Sequence, residues 1–436
     1  MSIQTIGIIL CFVVFVVLMM KRICPMAVAY PLMALAIAII AGIPLLNQDR
    51  GFFSTLMESG AVRNSSHVAV LLISAWLGGM MTVTGMSKRI VKLAAGLGGE
   101  KPFLVTVLVI IAVAACMTTI SGLGAVVMLG TIAVPIMINV GVPGIVAASA
   151  FLFAYAIGLT VNMGNWAYFS SITTATFDDV KTFALILMGV TAAVTVIAMI
   201  YMFKRNGVKF SWADRSAEPK DDCEFDDTKV PIASLFTPLI PLVLVIFTDI
   251  GTNASFFIAI MYCIITLCVF SKQYKLSDML NRILMKSATV GLTWAAIVLV
   301  QSVLCGVLVE VLSTAEVTAA LKGIVASIFP KTQIAFIMFF AILAPLALFR
   351  GPTNIWGVGA SIATLLVSIG VLPPTAVMAA YISCERTQVI SDPTNTHNIW
   401  ISGYVGSDTI TLLKKVLPWS WLMSAIGVTI AGMMFF

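Results

Sequence analysis

Charge is scarce in this chain. Asp, Glu, Lys and Arg make up 10 % of its 436 residues, and histidine occurs twice. Soluble globular chains are about a quarter charged, so a single water-soluble core is excluded as the whole structure. The eight cysteines form no C-x-x-C pair. Most of them (Cys11, Cys116, Cys263, Cys268, Cys305) sit in apolar stretches and read as small packing residues. No H-E-x-x-H motif is present, and a metalloprotease reading falls with it. The net charge of +6 is scattered over short loops, so it marks no nucleic-acid partner.

What the chain has instead is apolar length. Hydrophobic residues make up 60 % of it, and runs of roughly 20 apolar residues, enough to cross a bilayer, recur from Ile3 to Phe436. The first run, Ile3 to Met20, has Lys21 and Arg22 after it rather than before it and lacks a small-residue cleavage site. It reads as a retained helix, not a signal peptide. Spans are expected at about 3–20, 25–46, 67–87, 143–170, 180–203, 232–249, 254–271, 288–311, 374–403 and 416–436. Two further apolar blocks, about 103–140 and 331–372, are too long for one helix. They are broken at Thr118-Thr119-Ile120-Ser121-Gly122-Leu123-Gly124 and at Arg350-Gly351-Pro352-Thr353-Asn354.

The two halves of the chain resemble each other. Each opens with two close spans and a short amphipathic segment (about 50–66 and 272–287). A span with an early Trp follows (Trp76, Trp294), then the broken block. Next comes a span interrupted by Asn-x-x-Asn, Asn162 and Asn165 in one half, Asn395 and Asn398 in the other, and a final span closes each half. If the blocks are re-entrant hairpins, each half has an odd count of five crossings and the repeats are inverted, an architecture common among secondary transporters. The expected fold is thus all-α and polytopic. A first repeat spans 1–203, a linker 204–231, and a second repeat 232–436.

Loop charges favour that count. With the N-terminus outside, one face collects most of the Lys and Arg, including Lys88, Arg89, Lys204, Arg205, Lys414 and Lys415, and the other keeps Arg50, Arg63, Lys181, Lys322 and Lys331. The basic face is the cytoplasmic one. Both termini are expected on the outer face of a bacterial inner membrane.

Irregular backbone at membrane depth leaves N–H and C=O groups that protein, water or a ligand must satisfy. Half-helix N-termini favour an anion, and free carbonyls with Asn or Thr side chains suit a small cation. Expected substrate contacts are Ser121, Gly122, Asn162, Asn165, Arg350, Thr353, Asn354, Asn395 and Asn398. Thr119, Asp392, Thr394 and His397 are the expected coupling-ion set. Each has a bland alternative. The asparagines cap the half-helices they interrupt, and Gly124, Gly130, Gly357 and Gly359 are packing residues. Trp166 and Trp400 either wall the cavity or pack. Arg350 either forks onto a substrate carboxylate or pairs internally with Glu385 or Asp392. Glu385 and Arg386, deep in one helix, neutralise each other. His397 either relays protons or is a hydrogen-bonded core residue.

This arrangement resembles the ion transporter superfamily of secondary carriers over nearly the whole chain. That group includes divalent-anion/sodium symporters, citrate carriers, gluconate permeases and anaerobic dicarboxylate carriers. The tips Thr119-Ile120-Ser121-Gly122 and Pro352-Thr353-Asn354 depart from the Ser-Asn-Thr of the divalent-anion branch. The Gly-rich Ser121-Gly122-Leu123-Gly124-Ala125 is closer to the gluconate and dicarboxylate branches. The resemblance implies a homodimer and an elevator motion. The expected function is proton- or sodium-coupled symport of a small organic anion, with exchange or channel-like facilitation as the alternative. No cofactor beyond sodium is expected. An intramembrane hydrolase built on Ser121 and His397 is the weakest reading, since no third group supports the dyad.

Overall fold

The structure is a computed structural model that describes residues 3–20, 23–47, 49–208 and 226–436. For Val16, Met20, Trp294, Ile324, Val325 and Ala326 it describes the backbone alone. Most of the expected linker, residues 209–225, lies outside the described residues, as does the Trp294 side chain.

Helices dominate the described residues, and they fall into two runs of ten. The first run is α1 (Ile3–Met20), α2 (Met26–Ala41), α3 (Met57–Arg63), α4 (Ser65–Val83), α5 (Met86–Leu97), α6 (Pro102–Met117), α7 (Leu123–Asn139), α8 (Gly144–Thr160), α9 (Met163–Thr173) and α10 (Phe177–Arg205). The second is α11 (Ile240–Phe247), α12 (Thr252–Phe270), α13 (Leu276–Asp278), α14 (Leu284–Leu312), α15 (Ala315–Ile328), α16 (Gln333–Leu343), α17 (Gly359–Ile369), α18 (Pro374–Ser391), α19 (Thr396–Tyr404) and α20 (Thr409–Phe435). The runs match in irregular detail. A π-helical turn, Phe52–Leu56 or Met279–Ile283, lies beside α3 and α13.

Several contacts between the runs come in exchanged pairs, namely α2 with α14 and α12 with α4, α7 with α19 and α17 with α9, and α10 with α18 and α20 with α8, while the extensive α3–α14 contact has no comparable α13–α4 partner. The seam is tight where α4 meets α14. A Cβ on Gly291 would lie 1.8 Å from the Ala75 carbonyl oxygen, so only glycine lets these backbones touch. Asn64 Nδ2 adds a hydrogen bond to the Ser302 carbonyl at 2.7 Å.

Among the described residues, six helices are long and apolar enough to span a bilayer, or seven with the pair α8–α9, which is bent by 62° at its break. This is a multi-pass membrane protein. Fewer full-length spans appear than the ten read from the sequence, for local reasons. Gly42 at φ 78° ends α2 at Ala41, so the expected 25–46 stops short. The expected 232–249 begins as a 3₁₀ helix, Ile232–Leu239, before α11. The span drawn as 67–87 also ends early, and α5 follows it. Lys88, Arg89 and Lys92 on α5 hid that helix among loop residues. Lys92 Nζ reaches Asp227 at 3.2 Å. The expected 416–436 starts earlier, at Thr409, because Asp408 caps it through the Ile410 and Thr411 N–H groups, both at 2.9 Å. The block at 103–140 divides into α6 and α7, and the block at 331–372 into α16, a 3₁₀ extension Ala344–Arg350, and α17.

Candidate functional site

Four interruptions of helical backbone shape the centre of the molecule, and each is tied off by nearby side chains. At the first, Gly122 has φ 88°, a conformation an L side chain resists. Thr118 Oγ1 returns to the Ala115 carbonyl at 2.7 Å and Thr119 Oγ1 to that of Cys116 at 3.2 Å. Ser121 is exposed.

At the second, Asn162 caps α9. Its Oδ1 accepts from the Asn165 N–H at 3.1 Å, and its Nδ2 donates to the Met117 carbonyl at 3.0 Å. Asn165 Nδ2 donates to the Leu159 carbonyl, six residues back, at 3.3 Å. The fourth interruption repeats this bond, with Asn398 Nδ2 donating to the Asp392 carbonyl, also six residues back, at 2.8 Å. Asn165 Oδ1 and Asn398 Oδ1 are both buried without a protein partner. Asn395 pairs with Gln388, donating from Nδ2 to its carbonyl at 2.8 Å and accepting from its Nε2 at 3.1 Å. The Asn-x-x-Asn signature therefore satisfies broken-helix backbone in both halves.

The third interruption is the most irregular. Phe349 and Arg350 are both left-handed, at φ 55° and 62°, a region that costs non-glycine residues roughly 1–2 kcal/mol each. Asp392, fully buried, holds them there. Its carboxylate accepts from the Phe349 N–H at 3.0 Å, the Arg350 N–H at 3.4 Å, Asn354 Nδ2 at 3.2 Å, and the Thr394 N–H and hydroxyl at 2.9 and 2.7 Å. Consecutive N–H groups in such a bend form an anion-holding nest, and here the anion is a side chain. Thr353 Oγ1 lies 3.3 Å from the Leu343 carbonyl and Asn354 Nδ2 2.9 Å from that of Ala347.

Glu385 and Arg386 are both fully buried and pair with each other. Arg386 also donates to the Ala156 carbonyl and the Thr160 hydroxyl. Glu385 takes two further donors, Trp356 Nε1 at 2.8 Å and Asn165 Nδ2 at 3.0 Å. The Trp356 ring stacks on Tyr168, centroids 4.1 Å apart. Arg350 bonds through Nη1 to the Trp356 carbonyl at 2.9 Å.

All four interruptions border one cavity of about 170 Å³. Of the expected site residues, Thr119, Ser121, Gly122, Asn162, Asn165, Arg350, Asn395 and His397 line it. Thr353, Asn354, Asp392, Thr394 and Asn398 are not among its lining residues, and their side chains are engaged with turn backbone or with each other. Trp166 donates to the Thr160 carbonyl at 2.7 Å and Trp400 stacks on Tyr404. Neither walls the cavity. Trp356, Tyr155 and Gln388 do, and sequence reasoning passed over all three. Gln388 was detectable as the one amide of α18, beside Glu385 and Arg386, and Trp356 by its place two residues after the second tip. His397 bonds to the Val389 carbonyl at 2.9 Å and meets Tyr155 edge-on at 5.0 Å.

The walls differ in character. Leu71, Ala75 and Gly78 of α4, with Gly291, Ala295 and Val298 of α14, form a smooth, largely apolar side. Most of the polar groups come from the interrupted segments, and α4 adds the Ser74 hydroxyl. Such a space holds a small solute by a few directed polar contacts against an apolar wall.

No family model and no curated protein matches the chain. Among solved structures, the fold aligns with the YdaH transporter of Alcanivorax borkumensis at a TM-score of 0.63 and 15 % identity, covering 93 % of this chain and 97 % of that one. It also aligns with Neisseria gonorrhoeae MtrF, described within a class of antimetabolite efflux pumps, at a TM-score of 0.57 and 14 % identity, covering 90 % and 86 %. At these identities the likeness is one of fold, and the fold is one that two membrane transporters share.

Proposed function

We propose that the protein is a secondary active transporter that carries a small organic anion through the central cavity, coupled to protons or sodium. One observation carries this reading: both halves deliver their backbone interruptions, with one arginine, to a single cavity. That the two solved structures named above are both transporters supports the class. Membership of the ion transporter superfamily rests on the tip residues and the repeat pattern.

An elevator motion between inverted repeats fits the packing. Most polar groups belong to interrupted segments, and the α4 and α14 side, apart from Ser74, offers small and apolar residues for them to slide along. The exchange of pairs is incomplete, and one of its departures fits alternating access. α9 packs against α4 and α14 in addition to α10, α17 and α18, whereas the main partners of its counterpart α19 are α20, α7 and α8, the equivalents of only the last three. Exchanging the two environments would face the site toward the opposite side. Thr119 and His397 are the coupling-ion candidates that line the cavity. A homodimer and external termini complete the proposal.

A thermal-shift screen of mono- and dicarboxylates and sugar acids, with and without sodium at two pH values, tests it. A stabilising acid should then enter proteoliposomes saturably, and faster under an imposed sodium or proton gradient. Equal counterflow without any gradient requirement would mean exchange. Non-saturable flux, or no response to any anion, would overturn the transporter reading.

A further inference from the structure

A second cavity, of about 440 Å³, lies apart from the central one between the end of α10 and the start of α20, lined by Tyr201, Arg205, Lys414, Lys415 and Trp419 among others. Its chemistry is layered. At the helix ends stand three cations. Lys414 and Lys415 have no carboxylate partner among the described residues, and Arg205 donates through Nη1 to the Tyr201 hydroxyl at 2.9 Å. The acid at the start of α20, Asp408, is engaged with the N–H groups of Ile410 and Thr411 and with the Thr411 hydroxyl at 2.6 Å. One layer in, Tyr201 and Trp419 face each other with centroids 5.4 Å apart. One further turn along the same helices, Ile197 is 55 % exposed and Leu422 43 % exposed. The order charge, amphipathic aromatic, aliphatic follows the depth profile of a bilayer surface, where Tyr and Trp sit at headgroup level.

We propose that this pocket binds the phosphate headgroup of an anionic phospholipid, whose acyl chains run along the exposed strips of α10 and α20. Basic pockets between membrane helices suit such headgroups, each nearby Lys or Arg favouring the anionic surface. A free phosphate would gain from the cations but leave the aromatic and aliphatic layers unused. The lipid uses all three.

The test uses the full-length protein in detergent, titrated with phosphatidylglycerol, phosphatidylcholine or inorganic phosphate, with thermal midpoint and native mass spectrometry as readouts. Phosphatidylglycerol should bind and raise the midpoint, and the other two should not. Lys414→Gln with Lys415→Gln should weaken phosphatidylglycerol binding by on the order of tenfold or more, with the midpoint in phosphatidylcholine unchanged. Equal responses to both lipids, wild-type affinity in the double variant, or an equal effect of phosphate would each overturn the assignment. Photoreactive phosphatidylglycerol on the wild-type protein should label peptides 201–206 and 411–419. Labelling confined to other helices also refutes the pocket, whether or not the variant folds.

Discussion

Asn165 donates from Nδ2 to Glu385 Oε2 at 3.0 Å, joining residues 220 positions apart in sequence. The bond links the broken helix of one half to α18 of the other, directly behind the cavity wall. Because Trp356 donates to the other oxygen of the same carboxylate, Glu385 ties together three of the segments that shape the site.

That carboxylate is the counter-charge of a fully buried guanidinium, so its removal should be costly. Breaking a buried pair by deleting one partner costs about 3–5 kcal/mol, and Glu385→Gln leaves Arg386 uncompensated. The expected outcome is a much lower thermal midpoint and little folded protein in detergent. Adding Arg386→Met, which removes the stranded charge, should recover part of the loss. A single variant as stable as the wild type would show that the pair is not structural.

The two second asparagines should behave differently despite their matching carbonyl bonds. Asn398 is absent from the cavity lining, so Asn398→Ala loses a buried hydrogen bond, with a penalty of about 1–3 kcal/mol, and the folded fraction should keep its KM. Asn165→Ala removes a cavity-lining group and should alter KM or abolish uptake. Purified transport assays normalised to folded protein separate the two. Identical kinetic defects in both variants would mean that Asn398 reaches the solute.

Much of this centre was legible before any coordinates, and the reason is locality. Asn-x-x-Asn and the Gly- and Pro-bearing tips announce broken helices through the preferences of the residues themselves. What was illegible depends on tertiary placement. Asp392 reads like a coupling-ion ligand, and only folding brings the left-handed Phe349 and Arg350 N–H groups onto it. Thr353 and Asn354 read as ligand donors, and their hydrogen bonds to the preceding Leu343 and Ala347 carbonyls are set by the turn rather than by the local sequence. Likewise α5 hides because its lysines look like loop charge, while its apolar face needs α6 and α7 beside it.

Asp392 should accordingly act as a structural anchor. Asp392→Asn presents an NH₂ group where the native side chain meets only donors, so the Phe349–Arg350 bend loses part of its support. We expect a destabilised protein with transport lost at every pH and every sodium concentration. A variant that folds normally and shifts only the cation dependence of uptake would return Asp392 to the coupling-ion set.

The expected orientation can be checked without a ligand. In a background without its native cysteines, Cys at Ser407 should resist an impermeant thiol reagent in intact cells, and Cys at Asp178 should react. Both positions sit near long-helix starts, at α20 and α10, so counterpart helices would begin on opposite sides. Reaction of both from outside would refute inverted repeats.

The sign of the solute's charge follows from Arg350. It is the arginine among the cavity-lining residues, and its backbone is fixed in the bend that Asp392 holds, so its position is set before any solute arrives. Two fully buried carboxylates lie nearby: Glu385 is matched to Arg386, and Asp392 accepts from the backbone N–H groups of the bend, that of Arg350 among them. An anionic solute gains a charge-assisted contact there, and a cationic one meets repulsion close to apolar walls that screen poorly. Arg350→Lys keeps the charge but loses the planar fork and should weaken binding. Arg350→Gln should nearly eliminate uptake. Hydrogen bonds to charged groups contribute roughly 1.5–3 kcal/mol, which corresponds to an affinity loss of about ten- to a hundredfold, measurable by the thermal-shift titration above. Normal transport by Arg350→Gln, or a cation as the bound solute, would show that the arginine serves the turn rather than the cargo.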